Sequence, residues 1–97
     1  MIPYSRQNIN KKDVLEVAKV LKSDFLTQGK KVVEFERIVT RISKAKFGVA
    51  VNSASSALHL GCLALGIKKD DIVWTVPNTF AASANCAINC GASVDFV

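Results

Sequence analysis

Two short stretches hold the residue types best suited to chemistry: NSASSA at 52–57 and PNTFAASAN at 77–85. The first is built from small, hydroxyl-bearing residues, so its backbone can come close to a ligand. If it opens a helix, the N–H groups of Ala54, Ser55 and Ser56 are donors with no intrahelical acceptor. Serine hydroxyls add further donors, and the helix dipole favours a nearby anion by about 0.3–1 kcal/mol. That donor set suits a phosphate. A plain serine N-cap explains the same residues, which carry neither the lysine of a P-loop nor the glycine pattern of a dinucleotide site. The second stretch places Phe80 where a strand gives way to a helix. Exposed, its ring can stack on a flat heteroaromatic ring, worth roughly 0.5–1.5 kcal/mol; buried, it fills the core under the loop. Asn78 and Thr79 either bond a ligand or shape the turn, and Asn85 faces either the same pocket or solvent. An anion cradle followed by an aromatic plate fits a planar ring that carries a phosphate ester.

Elements must position those turns. Asn10 is a good N-cap with Asp13 at N3, and Val14, Val17, Ala18 and Leu21 repeat at helical spacing, which predicts a helix over 11–22. SDFLTQGK, 23–30, breaks the period and reads as a loop. A second helix is expected over 30–44, with Val32, Phe35, Val39 and Ile42 on one face. FGVAVN, 47–52, is a nearly continuous apolar run, which predicts a strand buried on both faces. Residues 53–66 read as a helix closed by Gly66, 68–71 as a polar turn, and 72–76 as a strand stopped by Pro77. A helix over 79–90, closed by Gly91, and a strand over 93–97 complete the pattern. Strand, helix, strand, helix, strand implies an α/β fold with three parallel strands and right-handed crossovers. Residues 1–46 would form an N-terminal arm with two helices, and 47–97 the beginning of an α/β domain. Ligands of open α/β sheets bind beyond the carboxyl ends of the strands, where both turns lie. A three-stranded parallel sheet with bare edges is incomplete, so the 97 residues read as the N-terminal piece of a longer protein.

Composition excludes other classes. The net charge is +5, and 11 of the 13 basic residues precede Phe47. They alternate with acids on predicted helix faces, and Phe35 falls on the opposite, apolar face, which argues for a solvated surface and against nucleic acid. No apolar run reaches the ~18 residues of a membrane span, and the N-terminus lacks the apolar core of a secretory signal. Cys86 and Cys90, four apart, resemble half a metal site that no second pair or nearby histidine completes. Three unpaired cysteines therefore read as small buried thiols in a reducing cytoplasm.

Four stretches, PYSRQNI at 3–9, LTQGKKVVEFE at 26–36, NSASSALHLGCLALG at 52–66 and TVPNTFAASANCAINCGASVDFV at 75–97, together resemble the DegT/StrS-type nucleotide-sugar aminotransferases. They cover most of the chain, in family order and at family-like spacing. The resemblance implies the N-terminal part of a fold-type I architecture that binds pyridoxal 5′-phosphate (PLP). It implies a homodimer that moves an amino group from glutamate to C4 of a UDP-linked 4-keto-6-deoxy sugar. Many relatives have Ser-Gly-Thr where Ser53, Ala54 and Ser55 stand here, so Ala54 and Ser55 are implied to bind the cofactor phosphate and Phe80 to stack on its ring. Leu26, Thr27, Gln28 and Gly29 match a loop near the sugar-nucleotide entrance, and Tyr4 and Arg6 lie in a segment that approaches it. The aspartate partner of the pyridine nitrogen and the lysine that holds the cofactor covalently are expected beyond residue 97. The chain alone is therefore expected to carry no catalytic residue. Two alternatives stay open at this point: a same-scaffold sugar dehydratase, with histidine in place of that lysine, and a non-catalytic phosphate-binding fragment.

Overall fold

The computed structural model describes residues 5–97, which fall into two units, one ending at Gly48 and one running Val49–Val97. In the first unit, α1 (Lys11–Leu21) and α2 (Lys30–Ser43) match the expected periodicity. The capping box forms: Lys12 N–H donates to Asn10 Oδ1 at 2.8 Å, and Asn10 N–H donates to Asp13 Oδ2 at 2.8 Å. Two of the orphan donors at the helix start are thereby satisfied. An ion-pair chain ties the two helices. Lys31 Nζ lies 3.0 Å from Glu16 on α1 and 3.0 Å from Glu34 on α2, and Glu16 also meets Lys19 at 2.6 Å.

The second unit contains α3 (Ala54–Ala64), β1 (Ile72–Thr75), α4 (Ala82–Ile88) and β2 (Ser93–Phe96). The two strands pair in parallel, from Ile72 opposite Ser93 to Thr75 opposite Phe96. Parallel pairing needs a crossover, and α4 supplies it, lying against α3 and both strands. Its inner face is made of small residues. Ala87 is fully buried and Cys86 nearly so, as is Ala92 in the connection that follows, which lets helix and sheet approach closely. Gly66 ends α3 at φ 75°, the left-handed region that favours glycine. Its N–H donates to Leu63 O and that of Ile67 to Cys62 O, the two bonds of a Schellman motif. Gly91 closes α4 with the equivalent pair, Gly91 N–H to Ile88 O and Ala92 N–H to Ala87 O.

The α/β class with a parallel crossover agrees with expectation, but two details do not. Among the described residues the sheet has two strands rather than three. FGVAVN, 47–52, is no strand of it, and Phe47 and Val49 are 78% and 77% exposed rather than buried. Apolar composition records a preference for burial but not the identity of the neighbour. Strands consecutive in sequence are spatial neighbours only about two-thirds of the time. The second difference is the start of α4, at Ala82 rather than 79. Residues 77–79 bend first, with Thr79 Oγ1 3.1 Å from Ser83 Oγ. Proline, asparagine and threonine are turn formers for separate physical reasons, and here they delay the helix. No helix among the described residues is long and apolar enough to cross a membrane.

Candidate cofactor cleft

The α3 N-terminus is built around Ser53, an extended N-cap residue at φ −157° and ψ 157°. Its Oγ accepts the Ser56 N–H at 3.2 Å. Ser56 Oγ lies 3.0 Å from Ser53 Oγ and donates to Asn52 Oδ1 at 2.8 Å. Ser56 is therefore spent inside the turn, which corrects the expectation that three N–H groups stand open. Those of Ala54 and Ser55 meet no acceptor among the described residues. Ser55 Oγ likewise forms no bond within the turn, so one hydroxyl and two N–H groups remain for a ligand.

Phe80 sits two residues before α4, not on it, and is 77% exposed. Its carbonyl accepts the Ser83 N–H at 3.0 Å and so starts the helix. Ser55 and Phe80 line one cleft of about 240 Å³, together with Ala81, Ala82, Asn85, Cys86 and Asn89. The two turns thus open onto a common space. Ala54 precedes Ser55 at the same helix start but does not itself line the cleft. Of the residues with two open readings, Asn85 is in the cleft wall, while Asn78 and Thr79 are not. Cys86, considered above only as half of a metal site, also lines it, as does Asn89, which the sequence reading does not name. The signal for Asn89 was its spacing, one helical turn from Asn85. Among the described residues no lysine, arginine, histidine or acid lines the cleft.

Cys86 reaches the cleft from a buried position and donates its thiol to Ser83 O at 3.3 Å. Cys62 of α3 lies beside Cys86 and Cys90. Burial, and then these neighbouring thiols, pushes the Cys62 pKa up. A raised thiol pKa disfavours the reactive thiolate. All three cysteines are free, and among the described residues no group of three or more potential ligands is placed to hold a metal.

The remaining expected ligand residues belong to the first unit. Leu26 and Gly29 line a separate pocket of about 380 Å³, between the end of α1 and the start of α2, with Phe25 and Val32. Thr27 is on the same loop but not in the pocket wall. A Cβ at Gly29 would stand 3.0 Å from Phe25 O, so a side chain there would require the loop backbone to give by a few tenths of an ångström. Arg6 is exposed in irregular backbone, and Tyr4 lies outside the described residues.

A family model described as the DegT/DnrJ/EryC1/StrS aminotransferase family matches residues 7–97. The chain is 50% identical, over all 97 residues, to the UDP-4-amino-4,6-dideoxy-N-acetyl-beta-L-altrosamine transaminase of Campylobacter jejuni serotype O:23/36, of which it covers 26%. Spr1654 of Streptococcus pneumoniae, solved in PLP, PMP and apo forms, matches 99% of this chain with 24% of its own, at TM-score 0.92 and 31% identity. Helicobacter pylori PseC, an aminotransferase involved in the biosynthesis of pseudoaminic acid, matches 98% of this chain with 26% of its own, at TM-score 0.90 and 32% identity. The chain spans about a quarter of the length of the curated relatives it matches. The architecture is the opening segment of the fold-type I PLP-transferase. Sequence and backbone lead to one assignment, and the chain belongs to the DegT/DnrJ/EryC1/StrS aminotransferase family.

Proposed function

We propose that the cleft between the α3 start and Phe80 holds pyridoxal 5′-phosphate. In this reading the whole protein, a homodimer, moves an amino group from glutamate to C4 of a UDP-linked 4-keto-6-deoxy sugar. The observation that carries it is the shared cleft: the open donors of one crossover turn and the exposed ring of the next border the same 240 Å³. Family membership supports the cofactor, and the similarity to the altrosamine transaminase supports the sugar class.

The residues at and beside the cleft fit the cofactor chemically. The N–H groups of Ala54 and Ser55 and the Ser55 hydroxyl are donors without acceptors, as a phosphate requires, and the Phe80 ring offers an apolar face. When bound, PLP supplies an electron sink for amino transfer. The chain's own residues bind and orient it. Ala54 and Ser55 fix the phosphate, and Phe80 covers one face of the ring and keeps water from it. Phosphate binding should outweigh stacking. Each charge-assisted bond is worth roughly 1.5–3 kcal/mol, against roughly 0.5–1.5 kcal/mol for the aromatic contact. Tyr4, Arg6, Leu26, Thr27 and Gly29 are assigned to the sugar-nucleotide, and three free thiols suit the reducing cytoplasm in which such a reaction would run.

The test is a reaction of the protein expressed from its complete reading frame with glutamate and a UDP-linked 4-keto-6-deoxy sugar. Amino-sugar should form in step with 2-oxoglutarate. Loss of water from the sugar with no amine formed would contradict the transfer reading.

A further inference from the structure

We infer that Asn85 is a further donor to the cofactor's phosphate, beside Ala54 and Ser55. The inference rests on the proposed cofactor reading and extends it to a residue outside the α3 turn. The cleft has no cationic side chain in its wall. Toward a phosphate that is nearly a dianion, the described residues therefore contribute neutral dipoles, and each N–H or O–H donor among them adds to the affinity. The α3 turn offers fewer than its sequence suggests, because both the N–H and the hydroxyl of Ser56 are engaged with Ser53 and Asn52.

Two carboxamides, Asn85 and Asn89, are the other neutral polar side chains in the wall. The Asn85 side chain forms no hydrogen bond among the described residues, whereas its backbone is committed, N–H to Ala81 O at 2.9 Å and carbonyl to Asn89 N–H at 2.8 Å. Its neighbours Cys86 and Ala87 are buried against the rest of the unit, so the helix position that presents Asn85 is fixed. Asn85 is also the nearer of the two to Phe80 in sequence. Asn89 sits a helical turn further from the start of α4, at its C-cap. A carboxamide suits the task. It donates two N–H groups without carrying a charge and does not titrate, so its own donor capacity is the same at every pH.

The test uses the complete protein and two probes, PLP and pyridoxal, which lacks the phosphate. Dissociation constants come from absorbance titrations. Wild type should bind PLP far more tightly than pyridoxal. Asn85→Leu removes the donors at similar size and should weaken PLP by about tenfold or more while leaving pyridoxal within about twofold. Asn85→Asp keeps the shape and adds a negative charge, and should weaken PLP further than Asn85→Leu does, again with pyridoxal spared. This second variant preserves the test if the leucine variant folds poorly. Equal losses for both probes, or PLP affinity unchanged in both variants, would overturn the role of Asn85 and leave the cofactor cleft standing. A wild type that does not distinguish PLP from pyridoxal would strike the cofactor reading itself.

Discussion

Ser55 and Ser56 are adjacent, identical in type and opposite in employment. Ser56 bonds inward to Ser53 and Asn52, and Ser55 faces the cleft. Ser55→Ala should raise the PLP dissociation constant by about tenfold, the loss of one charge-assisted bond. Ser56→Ala should change it by no more than about twofold and instead remove the hydroxyl's bonds to Ser53 and Asn52, costing roughly 0.5–1.5 kcal/mol of stability in a denaturant titration. Equal effects on cofactor binding would contradict the division of roles. Phe80→Ala should cost about two- to tenfold in PLP affinity without unfolding the protein, the range that stacking allows. The sequence displayed the run of hydroxyls but not their directions. Direction follows from which residue is the N-cap, and Asn52, Ser53, Ser55 and Ser56 are all acceptable cap types. The choice between readings at Phe80 was likewise closed to sequence alone, since an aromatic residue before a helix can face either side.

At the scale of elements, the Glu16–Lys31 pair joins α1 to α2 across the surface. Lys19 and Lys31 hold the Glu16 carboxyl down from the usual 4.5 to about 2. A depressed carboxylate stabilises the folded form above its ordinary pKa, and that contribution is lost as pH falls through the lowered value. Glu34 and then Glu16 hold the Lys31 ammonium above 10.5, so its share persists until pH rises past that raised value. A carboxyl-detected NMR titration should place the Glu16 midpoint near 2, and Lys31→Ala should return it toward 4.5. A wild-type midpoint near 4.5 would show that the pair does not persist in solution. Gly66→Ala should destabilise the protein by about 1 kcal/mol, because the left-handed backbone and not crowding sets the cost. An added Cβ there meets nothing within 4 Å.

Elements with local signals were legible in the sequence. The capping box at Asn10 and Asp13, the terminating Gly66 and Gly91, and the period of α2 all depend on residues within one or two turns. The strand expected at 47–52 depended on a distant neighbour, and its apolar residues do not name one. The start of α4 was misplaced by three residues because the sequence does not weigh the bend at 77–79 against helix propensity.

For the whole molecule, the described residues leave large apolar side chains open, among them Trp74 at 67% and Phe96 at 54% exposed. The chain covers about a quarter of its relatives' length. Activity, sugar specificity and the dimer are therefore properties to be tested on the complete protein. These 97 residues expressed alone should transfer no amino group to a keto-sugar, because no lysine or acid among the described residues lines the cleft. Detectable amino-sugar from that piece would contradict this. The most direct measurement is a crystal structure of the complete protein with PLP. It should show phosphate oxygens within about 3.2 Å of the Ala54 and Ser55 nitrogens and the pyridine ring lying against Phe80. A cofactor phosphate bound away from residues 54–55, with Phe80 turned from the ring, would contradict the account.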